Sequence, residues 1–197
     1  MNVAAGTPRG PALPQKLPAS QTAGVCGAAL IGGVAWTGAS GALVLALVAP
    51  LVILSGRSRR EVLTRALGYF AAATWPIVPS AAVFFGDGGS TLRLLASAMG
   101  GWVFIAVANS VPWALIAPQS PARRVVALLL GLLLPALLPL ALIGLASPLA
   151  GAGLLLPGTG LMGCVAYVLA NGLWVGRAAV GLRAGADTEL MTRFRAA

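Results

Sequence analysis

The chain has 197 residues, 58% of them hydrophobic and only 9% charged, with a net charge of +9 and a mean hydropathy of +0.92. Soluble domains carry roughly 25% charged residues, so this composition cannot cover a water-facing surface and instead suits a chain whose solvent is the bilayer. The basic balance does not call for nucleic acid, because membrane proteins gather Arg and Lys in their cytoplasmic loops and so look basic without a polyanion partner.

Residues 1–20 contain four prolines and no apolar run. They read as a flexible tail, and lack the short apolar stretch and cleavage site of a secretory signal. No charge then occurs from Leu17 to Gly56. One helix needs about 20 residues to cross the hydrocarbon, so this stretch is too long for a single span. Thr37-Gly38-Ala39-Ser40-Gly41 is a turn signal in its middle, which predicts a hairpin of two short helices at about 22–36 and 42–56. The first arm is rich in Gly and Ala, residues that let helix backbones approach closely in lipid.

The basic cluster Arg57, Arg59, Arg60 and Arg65 follows, then an apolar stretch from Val62 to Phe85. Its Trp75-Pro76-Ile77-Val78-Pro79 interrupts a helix, since two prolines remove two backbone donors. A loop at 86–89 leads to a fourth stretch, Leu92 to Ile116, with Arg93 at its start and Asn109 inside it. A basic loop ends in Arg123-Arg124, and no further charge appears until Arg177. That gap predicts a fifth span at about 125–145, kinked by Pro135 and Pro139, a loop at 146–159 and a sixth span at about 160–176.

The expected fold class is therefore an all-α integral membrane protein of about six transmembrane helices. Residues 21–183 form its polytopic domain, and residues 184–197 a short polar tail. With a cytoplasmic N-terminus, six crossings put Arg9, Lys16, Arg57, Arg59, Arg60, Arg65, Arg123, Arg124, Arg177, Arg183, Arg193 and Arg195 inside and only Arg93 outside. This asymmetry favours both termini in the cytoplasm, and the expected location is a bacterial inner membrane.

Gly158 to Gly163, GTGLMG, fits the dinucleotide fingerprint G-x-G-x-x-G. A nucleotide loop needs a strand before it and a βαβ unit around it. Apolar, membrane-type sequence surrounds this match on both sides, so a turn re-entering the membrane is the expectation. Cys26 and Cys164 lie in apolar surroundings and read as small buried side chains, not as a metal site, disulfide or nucleophile. No catalytic residue, cofactor or metal is expected, and no nucleic acid.

Two segments carry a resemblance. IGLASPLAGAGLLLPGTGLMG, residues 143–163, and RALGYFAAATWPIVPSAAVFFGD, residues 65–87, resemble the plasmid conjugal transfer protein TraB family. The arrangement of hairpin, basic loop and Gly-Tyr-Phe span is more distantly similar to the membrane half of apolipoprotein N-acyltransferases. Both families carry a nitrilase-like domain with a Glu-Lys-Cys triad after the membrane spans. No position here receives that triad, so the resemblance implies the membrane platform without its catalytic part.

The candidate site residues are Trp75, Pro76, Pro79, Arg93, Asn109, Pro157 and Gly158. Trp75, Pro76 and Pro79 are expected either to shape an outward cavity, where family members would receive lipid or a lipidated chain, or simply to kink and anchor a helix. Arg93 is expected to meet a headgroup phosphate, to snorkel or to pair with Asp87. Asn109 and Asn171 are expected to bind a ligand or to bond between helices. The cytoplasmic Arg clusters are expected to set topology and touch anionic lipid. The uncharged loop 147–159 is expected to fold against the bundle near Trp75 or to dip into the interface.

Three functions compete at this stage. The first is a TraB-like accessory of conjugal transfer, non-catalytic in this form, with membrane lipids and conjugation-machinery proteins as partners. The second is the membrane half of an N-acyltransferase-like enzyme acting with a separate nitrilase-like domain. The third is a small carrier, for which paired intramembrane charges would speak, and none is present.

Overall fold

The structure, a computed structural model, describes residues 19–39, 41–85, 91–137 and 145–177. Both predicted tails lie largely outside these residues. The described residues are mostly helical, with no strand among them.

Helix α1 spans Ala19–Ala35 and is followed by a turn in which Gly38 and Gly41 take φ of 80° and 81°. These left-handed values reverse the chain at no cost to a residue without a β-carbon. The return arm begins as a 3₁₀ segment, Ala42–Val48, and continues as α2, Ala49–Leu54. The prediction had one regular helix here. Pro50 explains the difference: it has no N–H to give the Ala46 carbonyl, which accepts from the Ala49 amide three residues on.

Helix α3, Arg59–Thr74, starts with a serine cap: the Ser58 hydroxyl accepts from the Glu61 amide at 3.2 Å. The Trp75-Pro76 elbow separates it from α4, Ile77–Phe85. Helix α5 covers Thr91–Ala114. Helix α6, Pro121–Leu133, opens on a second serine cap, with Ser120 accepting from the Arg123 amide at 3.2 Å and Pro121 in the first turn, where its missing donor costs nothing. It tightens into 3₁₀ turns over Leu134–Ala136 around Pro135. Pro139 lies outside the described residues. The predicted loop at 146–159 contains a short helix, α7, Leu149–Leu155, and the last described helix, α8, is Leu161–Arg177.

Small residues set the packing. A β-carbon at Gly32 would fall on the Tyr69 carbonyl, one at Gly68 would press on the Val25 carbonyl, and one at Gly24 would fall on the Arg65 guanidinium. Helix α1 and helix α3 therefore touch backbone to backbone, as helices do where small residues replace side-chain packing. The pairs 24 with 65 and 32 with 69 rise together, so α1 and α3 run parallel and the arm between them returns. This is the hairpin that the turn signal predicts. Gly131 plays the same part for α6, lying under the Trp113 ring of α5.

The core is built on Ile53, Leu54, Val62, Tyr69, Phe70, Trp113, Leu128 and Leu132. Outside it the surface is also apolar. Val83, Phe84, Phe85, Leu92, Phe104, Leu161, Leu169 and Leu173 are all exposed. Among the described residues two helices are long and apolar enough to cross a membrane, the bent 59–85 and 91–114, and shorter apolar helices run at 19–35, 42–54 and 161–177.

Candidate functional site

The α3–α4 elbow follows from its two prolines. Pro79 has no N–H for the Trp75 carbonyl, which accepts instead from Val78 at 3.0 Å, and the Ser80 amide closes on Pro76 at 3.2 Å. Thr74 turns its hydroxyl onto the Phe70 carbonyl, a local bond of the kind that bends helices. Helix α5 then holds the elbow. The Trp102 indole donates to the Ala71 carbonyl at 2.9 Å, and the Trp75 ring meets Trp102 edge-on with centroids 5.3 Å apart. Trp102 was passed over as a site residue. Its partner is a backbone carbonyl near a proline break, and nothing in the order of residues announces that pairing.

The elbow is open. Trp75, Pro76 and Pro79 are exposed, and so is Arg93 in the first turn of α5. Asp87, the expected partner of Arg93, lies outside the described residues. Asn109 is buried and donates to the Ile105 carbonyl of its own helix at 2.9 Å, and Asn171 donates to Tyr167 at 3.1 Å in the same way. Each of these two bonds stays within its own helix. Pro157 and Gly158 are exposed in the turn between α7 and α8, where Gly158 and Gly160 have φ of 78° and 53°. The glycine fingerprint is thus a helix-to-helix turn.

Helix α7 does fold back, but against a different neighbour from the expected one. Gly151 rests on the Leu43 carbonyl and the Leu47 side chain of the first hairpin. The absence of a side chain at Gly151 is what admits that close approach, and a glycine gives no hint of its neighbour. Cys26, expected to be buried, is exposed on α1, and Cys164 is half-buried.

Two polar centres organise the bundle, and neither was singled out from the sequence. The first is Tyr69, fully buried. Its hydroxyl accepts from the Trp36 indole at 3.1 Å and donates to the Ala146 carbonyl at 3.2 Å. It ties the end of α1 to the entry of α7. Tyr167 does the same between α8 and the hairpin, donating to the Leu47 carbonyl at 3.2 Å.

The second centre lies at the end of α2. Arg65 donates to the Ser55 hydroxyl and to the Val52 carbonyl, with Glu61 at 3.8 Å, while Arg124 donates to the Leu54 carbonyl. These are the carbonyls a helix leaves unpaired at its C-terminus, where its dipole also favours cations. Arg65 and Arg124 are only 7% and 8% exposed. Burial first, and the charge of Arg65 second, hold the Arg124 guanidinium below the usual arginine range. Both arginines were expected in cytoplasmic clusters that set topology and touch anionic lipid. They are instead drawn inward, onto carbonyls that the end of α2 leaves open beside the fully buried Ile53 and Leu54. Through them the start of α3, the end of α2 and the start of α6 share one end of the bundle.

Over 138 residues, 70% of its length, the chain is 33% identical to the probable conjugal transfer protein TraB of Sinorhizobium fredii (strain NBRC 101917 / NGR234). The chain spans about a third of that relative's length (34%). No family model matches the chain. No solved structure matches it.

Proposed function

We propose that this chain is a TraB-like protein of plasmid conjugal transfer, seated in the bacterial inner membrane by six crossings with both ends in the cytoplasm. The observation that carries the reading is the 33% identity to the probable conjugal transfer protein. The apolar outer faces of α4, α5 and α8 support a membrane seat, since large exposed apolar surface is otherwise a liability. The clasp of Arg65 and Arg124 on α2 supports the topology: it puts the basic segments 57–60 and 123–124 at one end, as a positive-inside arrangement requires.

The part played by these residues is structural. Lys16 is the only lysine, and Glu61 is the only carboxylate side chain among the described residues, already committed to the Arg65 cluster. The chain thus offers conjugation-machinery proteins a membrane platform rather than a reaction centre.

The test is genetic. Disruption of the gene in a plasmid-bearing donor is expected to lower transfer to a plasmid-free recipient, and a copy in trans to restore it. Transfer at the undisrupted frequency would overturn the reading. A second arm supplies the purified chain with phospholipid and a diacylated lipopeptide. A triacylated product above a heat-killed control would favour an acyltransferase role instead.

A further inference from the structure

Helix α8 buries one face and leaves another open. Gly163, Tyr167, Asn171 and Val175, spaced four apart, face the bundle. Ala170, Leu173, Trp174 and Arg177, at the i, i+3, i+4 and i+7 spacing of a neighbouring stripe, line a cavity of about 500 Å³ that opens to the surface. Leu173 and Trp174 remain 72% and 66% exposed. Arg177 is the last described residue of the stripe. It has neither hydrogen bond nor ion pair among the described residues, where Glu61 is the only carboxylate side chain and belongs to Arg65.

We propose that this groove holds an anionic phospholipid, with its phosphate on Arg177 and an acyl chain along Leu173 and Trp174. The inference rests on the membrane reading above, which sets the Arg177 end of α8 at the cytoplasmic leaflet. Three features select this occupant. The wall is apolar for about a turn and a half, which suits a hydrocarbon chain. Trp174 sits one turn below the cation, at the depth where indoles favour the headgroup boundary. Arg177 offers a planar fork of donors that matches phosphate and has no carboxylate to satisfy it among the described residues. A neutral protein helix would fill the apolar wall and leave the cation unanswered.

The test uses the full chain in vesicles of phosphatidylcholine, doped with either dibrominated phosphatidylglycerol or dibrominated phosphatidylcholine at equal mole fraction. Bromine quenches indole emission on contact. A basic residue near an anionic surface favours such lipids about fivefold, so the brominated phosphatidylglycerol is expected to quench more strongly, with a preference of that order. Trp174→Phe is expected to remove the differential quenching, which assigns it to this indole. R177Q is expected to abolish the preference and R177K to keep most of it, while R123Q leaves it intact. Equal quenching by the two lipids is what a groove filled by a protein helix gives, and it overturns the proposal. So does a preference that survives R177Q, or one lost equally with R123Q. The membrane reading fails separately, if the wild-type chain does not enter the membrane fraction at all.

Discussion

The hydroxyl of Tyr69 donates to the carbonyl of Ala146, 77 positions further along the chain, at 3.2 Å. Ala146 has a φ of 63°, a left-handed value that costs a non-glycine residue roughly 1–2 kcal/mol. The bond and the strain are coupled, because the carbonyl of a residue held in this conformation is the group the tyrosine grips. Tyr69→Phe removes both bonds of the hydroxyl and leaves the Trp36 indole without that acceptor. The expected loss is about 1–3 kcal/mol in the thermal unfolding of the detergent-purified chain. Trp36→Phe added to Tyr69→Phe should cost less than the two single losses together. Strict additivity would mean that the two side chains act independently.

Ala146→Gly tests the strain itself. Glycine relieves the left-handed penalty but gives up backbone entropy of about 0.5–1 kcal/mol. The expected outcome is an unchanged or slightly raised unfolding temperature. A clear fall would show that the conformation of Ala146 is not strained.

Helix α1 supplies a matched pair of glycines. At Gly32 a β-carbon would fall on the Tyr69 carbonyl, whereas at Gly27 it would meet nothing within 4 Å. Gly32→Ala is expected to push α1 off α3 and to destabilise by about 1–3 kcal/mol, the range of overpacked cores. Gly27→Ala is expected to be neutral or to stabilise by up to ~1 kcal/mol through helix propensity. Equal unfolding temperatures for the two variants would count against the close contact of α1 with α3.

The segment after Ala146 is open to chemical mapping. In a Cys26→Ser, Cys164→Ser background, a membrane-impermeant maleimide added from outside should leave Ala152→Cys unlabelled, because Ala152 is 2% exposed. Pro157→Cys, in the exposed turn, should label fast. Uniform labelling would mean that α7 does not pack on the Leu43–Leu47 segment.

Topology has a direct reporter. A fluorescent protein fused to the C-terminus is expected to glow, and alkaline phosphatase fused there is expected to be inactive. Active phosphatase would overturn the six-crossing arrangement.

Much of the fold was legible because charges and breakers punctuate an otherwise apolar chain. The Thr37–Gly41 turn, the Trp75–Pro79 break and the start of α5 at Thr91 all sit within a few residues of their expected places. Pro50 was legible in principle and not used: a proline one turn into a helix implies that the turn before it tightens. The close approach of the Gly-rich first arm was legible, but the partners of each contact were not. Gly24, Gly32 and Gly131 look like the other glycines of the chain, and only the fold shows that Arg65, Tyr69 and Trp113 occupy the space above them. The same holds for the arginines. Arg123 and Arg124 are neighbours of identical chemistry, yet one is exposed and the other buried on the Leu54 carbonyl. Their positions differ by the 100° that one residue turns on a helix, and a count of charges cannot register that angle. The lipid groove is an intermediate case. Its helical spacing was visible, but its openness depends on what the rest of the bundle leaves uncovered.

The clasp on α2 also has a history in time. Arg65 emerges soon after Ser55 and can satisfy the Val52 carbonyl almost as the hairpin forms. The Leu54 carbonyl waits for Arg124, 70 positions later. At roughly 5–20 residues per second, the wait during synthesis is about 4–14 s. Through that interval the last turn of α2 lacks the donor that closes it. Its end becomes apolar-sealed only when α6 arrives. The end of α2 is thus finished long after it is made, and a nascent chain halted between residues 66 and 123 would carry an open helix end for as long as it stalls.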